Sequence, residues 1–240
     1  MALFSPSGGL VYHLRALRYR RRLWAPFRSA LGAWLAEHLP PAAELLLVGP
    51  SAGHCLPLRE LSRFERILVL EPDPLARRLL ARKLAPAELE LEGFDRLVGP
   101  LLSGHAGLDS LLATRPSASL LFCNVLGQLK FELTGEQHAR FEREFRRRVL
   151  PLLAGRAWAS FHDRWSLDRD RHQPSPTVLD FERQPSDDEL AAAWFGPHPG
   201  PITLLDHDTR GLFPAALPRR YFGWQITPSA LHVVEAVAGR

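Results

Sequence analysis

The chain has 240 residues, 46% of them hydrophobic and 23% charged, with a formal net charge of +4. That is apolar material enough for a sizeable core, yet no run reaches the ~18 uninterrupted apolar residues of a membrane span. Cys55 and Cys123 are the only cysteines, which excludes a disulfide scaffold and makes a reducing, cytoplasmic setting the expectation.

The N-terminus has a short apolar start and then an arginine cluster, the reverse of the charge order in a secretory signal. Lys83 and Lys130 are the only lysines, so the basic excess is almost all arginine. With abundant Ala, Leu and Pro around it, this is a compositional habit rather than a nucleic-acid signature.

In chain order, residues 1–9 are rich in turn formers and read as loose. A helix is predicted over Leu10–Leu23, and Pro26 suits the first turn of a second. In that second helix Phe27, Leu31, Trp34 and Leu35 form one apolar stripe, ended by Pro40 and Pro41. These segments, 1–42, are expected to be a helical extension packed on a core domain over 43–240.

From Glu44 short apolar strands alternate with amphipathic segments. Leu45–Val48 is continuous and apolar, as a strand covered on both faces should be. A turn follows over Gly49–Gly53, then a short helix through Leu61. Ile67–Leu70 is a strand ending at Glu71, and Pro74 opens a helix through Lys83. A weaker strand is placed at Leu89–Leu91, or shifted to Arg96–Val98. Leu108–Ala113 reads as a helix and Ser119–Cys123 as a strand.

Thr134-Gly135-Glu136-Gln137 has capping-box spacing and starts a helix of ~16–20 residues with Phe141, Phe145, Val149 and Leu152 inward. Ala157–Phe161 is the next strand. Residues 166–201 are polar and proline-rich, with a helix over Asp187–Trp194. Ile202–Leu205 is short and extended, and Tyr221–Ile226 with Leu231–Val237 forms a hairpin. The alternation implies a mostly parallel sheet, and the hairpin an antiparallel addition at one edge.

Three readings carry chemistry. Gly49, Ser51 and Gly53 follow a buried strand, and Glu71 closes the next strand 22 residues after Gly49. Small residues let backbone approach a ligand, and an acid at that spacing accepts hydrogen bonds from ribose hydroxyls. The plain alternative is a simple strand–helix turn, with Glu71 capping the Pro74 helix. Gly-x-Gly-x-x-Gly is absent, which disfavours a nicotinamide enzyme, and no Gly-Lys-Ser/Thr follows to make a P-loop.

Second, His162-Asp163 follows the Ala157–Phe161 strand and is expected at the same sheet edge as Gly49 and Asn124, where it can serve as a general base. Asp206-His207-Asp208 offers nitrogen and oxygen donors that could join it. No spacing fixes a ligand set, and no metal is expected. His172 and His198 read as solvated loop residues. Third, Arg15, Arg18, Arg20, Arg21 and Arg22, interleaved with Tyr12, Tyr19 and Trp24, can bind phosphate and stack on bases, or simply form a solvated helix face.

The glycine turn with Glu71 resembles class I S-adenosylmethionine-dependent methyltransferases over about Glu44–Val237, as a divergent, bacterial-type member. The resemblance implies an α/β, Rossmann-like three-layer sandwich with a C-terminal antiparallel hairpin and N-terminal helices. It implies S-adenosylmethionine as cofactor, with Gly49, Ser51, Gly53, Glu71, Asp95 and Asn124 around it. Asn124, His162 and Asp163 become the catalytic candidates, and Gln128 and Arg18 the candidates for holding an unknown acceptor. The two cysteines, at the ends of what would be neighbouring strands, are expected as reduced thiols beside the cofactor. The sequence departs from the family pattern at Leu47, where an acid is common, at Ser51 in place of the middle glycine, and at Asn124-Val125-Leu126-Gly127-Gln128. Those departures motivate an alternative: an inactive methyltransferase-like binding protein, with RNA binding through the arginine-rich helix.

Overall fold

The computed structural model describes residues 9–84, 88–168, 177–196 and 203–240. The expected loose start at residues 1–8, the loop residues His172 and His198, and Ile202 lie outside the described residues. The strands are β1 (Glu44–Val48), β2 (Arg66–Leu70), β3 (Glu88–Glu92), β4 (Ser119–Cys123), β5 (Trp158–Asp168), β6 (Val178–Phe181), β7 (Leu204–Asp206), β8 (Arg219–Thr227) and β9 (Ala230–Gly239). They form one sheet in the order β3-β2-β1-β4-β5-β9-β8-β6, with β7 added beside β5. β1 through β5 pair in parallel, while β5–β9, β9–β8, β8–β6 and β5–β7 are antiparallel. This is the expected Rossmann-like sheet with its terminal hairpin.

Helices cover both faces because the central strands are apolar on both. In β1, Leu45 and Leu47 face one core and Leu46 and Val48 the other, the alternation a pleated strand imposes. The first core is closed by α2 (Ala25–His38), α3 (Leu58–Leu61) and α4 (Pro74–Leu84). Pro26 sits in the first turn of α2, and Phe27, Leu31, Trp34 and Leu35 are its buried stripe. Phe27 stacks on Trp224 of β8 with ring centroids 4.8 Å apart. Just before α2, the Trp24 Nε1–H donates to the Ile226 carbonyl at 3.0 Å. The helix before it, α1 (Gly9–Tyr19), ends four residues short of the predicted Leu23, and the arginines from Arg20 onward fall in a turn.

The opposite face carries α5 (Val98–Ser103), α6 (Leu108–Thr114), the short α7 (Leu129–Glu132) and α8 (Gly135–Glu144). The Thr134 capping box is formed in full. The helix it starts stays α-helical only to Glu144, then widens into a π turn over Phe145–Val149 and tightens into a 3-10 turn over Leu150–Leu153. Pro151 explains the break: it has no N–H to give to the preceding turn and its ring crowds the carbonyl there. The change of phase puts Leu153, not Leu152, in the buried position. A last helix, α9 (Asp187–Phe195), packs Leu190 and Trp194 beside Trp165 and Tyr221.

The weak third strand lies at the first of its two placements, over Glu88–Glu92, and Val98 begins a helix. One reading is corrected. The fifth strand continues to Asp168, so His162 and Asp163 are interior strand residues and not a loop. Among the described residues, no helix is long and apolar enough to cross a membrane.

Candidate functional site

The chain leaves β1 to add β2 and β3 on one side, then returns to add β4 on the other. β1 and β4 are therefore neighbours that depart in opposite directions, and the crevice beyond their carboxyl ends is where such sheets bind ligands. A cavity of about 470 Å³ opens there, within the ~300–1,000 Å³ range of small-molecule sites.

One end of the cavity is the loop after β1. Gly49 has φ +64° and still donates its N–H to the Leu70 carbonyl at 2.9 Å. A Cβ on it would come within 2.6 Å of Val125 Cβ, so the position requires glycine. Ser51 is left-handed too, with φ +50°. Its N–H donates to Glu71 Oε2 at 2.7 Å, a charged hydrogen bond that helps hold the strained turn. Gly53 closes the turn through Pro50 O at 3.0 Å and faces Leu80 rather than the cavity.

Glu71 is 4% exposed. Its second oxygen accepts from the Asp73 N–H at 3.0 Å. Arg77, the nearest cation, donates instead to the backbone carbonyls of Glu71 and Pro72. Burial raises the Glu71 pKa, partly offset by the Asp73 and Ser51 N–H groups. The helix-capping alternative fails, because Asp73 Oδ1 is the group that accepts from Leu75 and Ala76 at the start of α4.

Asp95 lines the cavity on the β3 side. Both its oxygens receive N–H groups from the start of α5: Leu97 and Val98 at 2.9 Å on Oδ1, and Gly99 at 2.6 Å on Oδ2.

At the far end stand Asn124 and Gln128. Asn124 follows β4 with φ +58°, and its N–H donates to Phe161 O at 2.7 Å. Its side-chain Oδ1 accepts from the Asp163 N–H at 2.7 Å, and Nδ2 donates to Asp163 Oδ2 at 2.9 Å. Gln128 Nε2 donates to the same oxygen at 3.0 Å. Asp163 is 1% exposed. Burial raises its pKa, but His232, then His207 and the Asn124 amide, more than offset that and hold it below the usual carboxylate range. Gly127 makes the arrangement possible: a Cβ there would lie 2.6 Å from Asp163 N and 2.8 Å from Asn124 Oδ1. Gly127→Ala is expected to destabilise the fold by about 1–3 kcal/mol, read from urea denaturation midpoints.

Of the remaining candidates, His162 points to the other face of β5. It is fully buried, stacked on Phe213, hydrogen-bonded to Ser160 Oγ at 2.9 Å and 3.7 Å from Glu235. Adjacent strand residues face opposite ways, so His162 and Asp163 cannot share a site. Arg18 is exposed, packs over Tyr19 and does not line the cavity. Asp206 pairs with Arg164, and Asp208 with Lys130 at 3.0 Å, so only His207 of that run reaches Asp163. Cys55 and Cys123 are free, buried thiols lining the cavity, and burial pushes Cys55 up to about 11.

Sequence reasoning missed Tyr12 and Trp224, which close the cavity from α1 and β8. Tyr12 stacks on Trp24 with centroids 5.6 Å apart. Its signal was the aromatic side of the arginine-rich helix. His232 was missed because nothing local distinguishes it.

Beside the loop, Lys83 Nζ lies 3.1 Å from His54 Nδ1, and His54 Nε2 lies 3.2 Å from His13 Nδ1. An ammonium only donates, so the His54 Nδ1 accepts and its Nε2–H donates onward. Burial first, then Lys83 and His13, hold the His54 pKa down to about 3. The unfolded chain protonates this ring near its ordinary value, so between the two values the unfolded state binds the extra proton. Stability should fall as pH drops through that window, by at most ~1.4 kcal/mol per unit and less after solvent screening. His54→Gln should flatten that slope in urea melts taken from pH 4 to 7.

No family model and no curated protein matches the chain. Solved structures that resemble it include the N-methyltransferase NodS from Bradyrhizobium japonicum in complex with S-adenosyl-L-homocysteine, at 11% identity, covering 94% of this chain and 98% of that one, with a TM-score of 0.44. The amino pentose methyltransferase CalS10 from Micromonospora echinaspora, solved with S-adenosylmethionine bound, is similar at 17% identity over 96% of this chain and 97% of its own, with a TM-score of 0.41. The sugar N-methyltransferase KedS8 from Streptoalloteichus is 16% identical over 100% of this chain and 76% of its own, with a TM-score of 0.38.

Proposed function

We propose that the chain transfers a methyl group from S-adenosylmethionine to a nitrogen or oxygen of a small acceptor. The observation that carries this reading is the meeting of the β1 loop and the Glu71 carboxylate, Ser51 N to Glu71 Oε2 at 2.7 Å, at the lip of a cavity on the β1/β4 switch point. A buried carboxylate whose short contacts are backbone N–H groups, with Arg77 turned away to carbonyls, suits a ribose diol that brings its own hydroxyl donors.

A dinucleotide fits less well. Its pyrophosphate needs a helix N-terminus aimed at the loop, and the helix that follows here has only four residues. In the proposed complex Glu71 holds the ribose, Gly49 and Ser51 lie along the amino-acid moiety, and Asp95 stands on the adenine side.

When bound, the sulfonium supplies an electrophilic methyl group for direct displacement. Such a reaction asks for alignment more than for acid–base power. Asn124, Gln128, Tyr12 and Trp224 shape the acceptor end, and Asp163 positions the two amides from behind. Tyr12 and Trp224 narrow that end, which suits a small molecule with an apolar face.

Calorimetry with S-adenosylmethionine and S-adenosylhomocysteine tests the reading. Saturable binding of both is expected, and an absence of heat at millimolar ligand would remove it.

A further inference from the structure

Behind the acceptor end of the cavity three side chains from separate elements converge. Asp163 comes from β5, His207 from the loop after β7, and His232 from β9, and their donor atoms all lie within 4.8 Å of one another. We propose that Asp163, His207 and His232 bind one divalent transition-metal ion of the zinc class.

The hydrogen bonds around the three side chains identify the donor atom that each can offer. His207 Nδ1 lies 2.6 Å from the Gly127 carbonyl. A carbonyl only accepts, so Nδ1 carries the proton and Nε2 presents a lone pair. An imidazole fixed by a backbone carbonyl on its far nitrogen is the usual support of a metal-bound histidine. Asp163 Oδ2 is occupied by the Asn124 and Gln128 amides, which leaves Oδ1. Asp163 Oδ1 and His232 Nδ1 are 3.1 Å apart, both buried and, among the described residues, both without a well-formed hydrogen bond. Ser166 Oγ lies 2.5 Å from His207 Nε2 and donates its hydroxyl to that lone pair, a hydrogen bond that metal binding would replace.

Two imidazoles and a carboxylate select zinc, cobalt or iron over magnesium or calcium, which favour all-oxygen sets. Asp163 and His207 are each 1% exposed and the His232 side chain 22%, so the ion would be largely shielded from an acceptor. Its role is to position: it ties β5, β9 and the β7 loop together and, through Asp163, fixes the two amides at the cavity.

The test is titration of the chelator-stripped, tag-free full chain with Co2+, followed by its visible ligand-field absorption and by equilibrium dialysis. One Co2+ per chain is expected, displaced by Zn2+, with affinity at least tenfold weaker in His207→Gln and in His232→Gln. Each variant is checked for folding by circular dichroism. Metal loading should also raise the thermal midpoint of the wild-type chain. Failure of the wild-type chain to bind Co2+ at micromolar concentrations overturns the proposal. So does undiminished binding by both variants. Binding of S-adenosylmethionine is measured separately, so either reading can fall without the other.

Discussion

Glu71→Gln is expected to weaken S-adenosylmethionine binding roughly ten- to hundred-and-fifty-fold, ~1.5–3 kcal/mol for the loss of charged hydrogen bonds. The size follows from burial. At 4% exposure the carboxylate is poorly served by water, so a pair of ligand hydroxyls replaces little solvation. Glutamine keeps the shape and one acceptor but loses the charge. On the empty protein the same substitution has two opposed effects: the glutamine NH2 faces either the Ser51 or the Asp73 N–H and loses that hydrogen bond, while the pH dependence of the carboxyl disappears. Burial raises the folded-state pKa of Glu71, so the folded chain holds this proton where the unfolded one releases it. Stability from this group therefore falls as pH rises through that interval. Glutamine, which has no proton to release, avoids that loss. Calorimetry and thermal melts read the two effects apart. An unchanged affinity would take Glu71 out of the site, whereas a melted variant would mean that its hydrogen bonds to Ser51 and Asp73 hold the loop itself.

Glu235→Ala should cost the fold about 3–5 kcal/mol, the range for removing one partner of a buried ion pair. Glu235 on β9 is 1% exposed. Its Oε1 accepts from Arg219 Nε at 2.8 Å and its Oε2 from the Tyr221 hydroxyl at 2.8 Å, both on the neighbouring strand β8. The guanidinium keeps its hydrogen bonds to Leu217 O and Pro214 O, yet its charge is left buried without a counter-ion. None of the three residues lines the cavity. The variant should therefore lose denaturant resistance while the folded fraction binds ligand normally. Urea unfolding, compared with the milder Glu235→Gln, measures the difference.

The parts of the fold that were legible in the sequence are those whose physics is local. Leu45–Val48 and Leu120–Cys123 are apolar throughout because both faces are covered, and the Thr134 box satisfies its own first turn. What was hidden depends on partners far along the chain. His162-Asp163-Arg164 looks like the end of a strand, since three polar residues in a row seldom sit inside one. They remain in β5 because Glu235, Asn124 with Gln128, and Asp206 with Asp187 lie opposite them. The same logic covers the candidate site. Gly49, Ser51 and Glu71 could be paired from strand spacing alone. His232 meets Asp163 only because two distant strands run side by side, with a bulge between Asp163 and Trp165 shifting their register.

β5 is bonded along its full length to β9, and its opposite edge passes from β4, at Trp158–Phe161, to β7, at Trp165–Leu167. No seam therefore separates the parallel and antiparallel halves. Loosening one must drag on the other, and the amide protons of Phe161 and His162 should leave only when the entire domain opens. The last region to exchange with heavy water would then lie beside the cavity wall, so the slowest-breathing backbone in the molecule would be the one that carries Asp163.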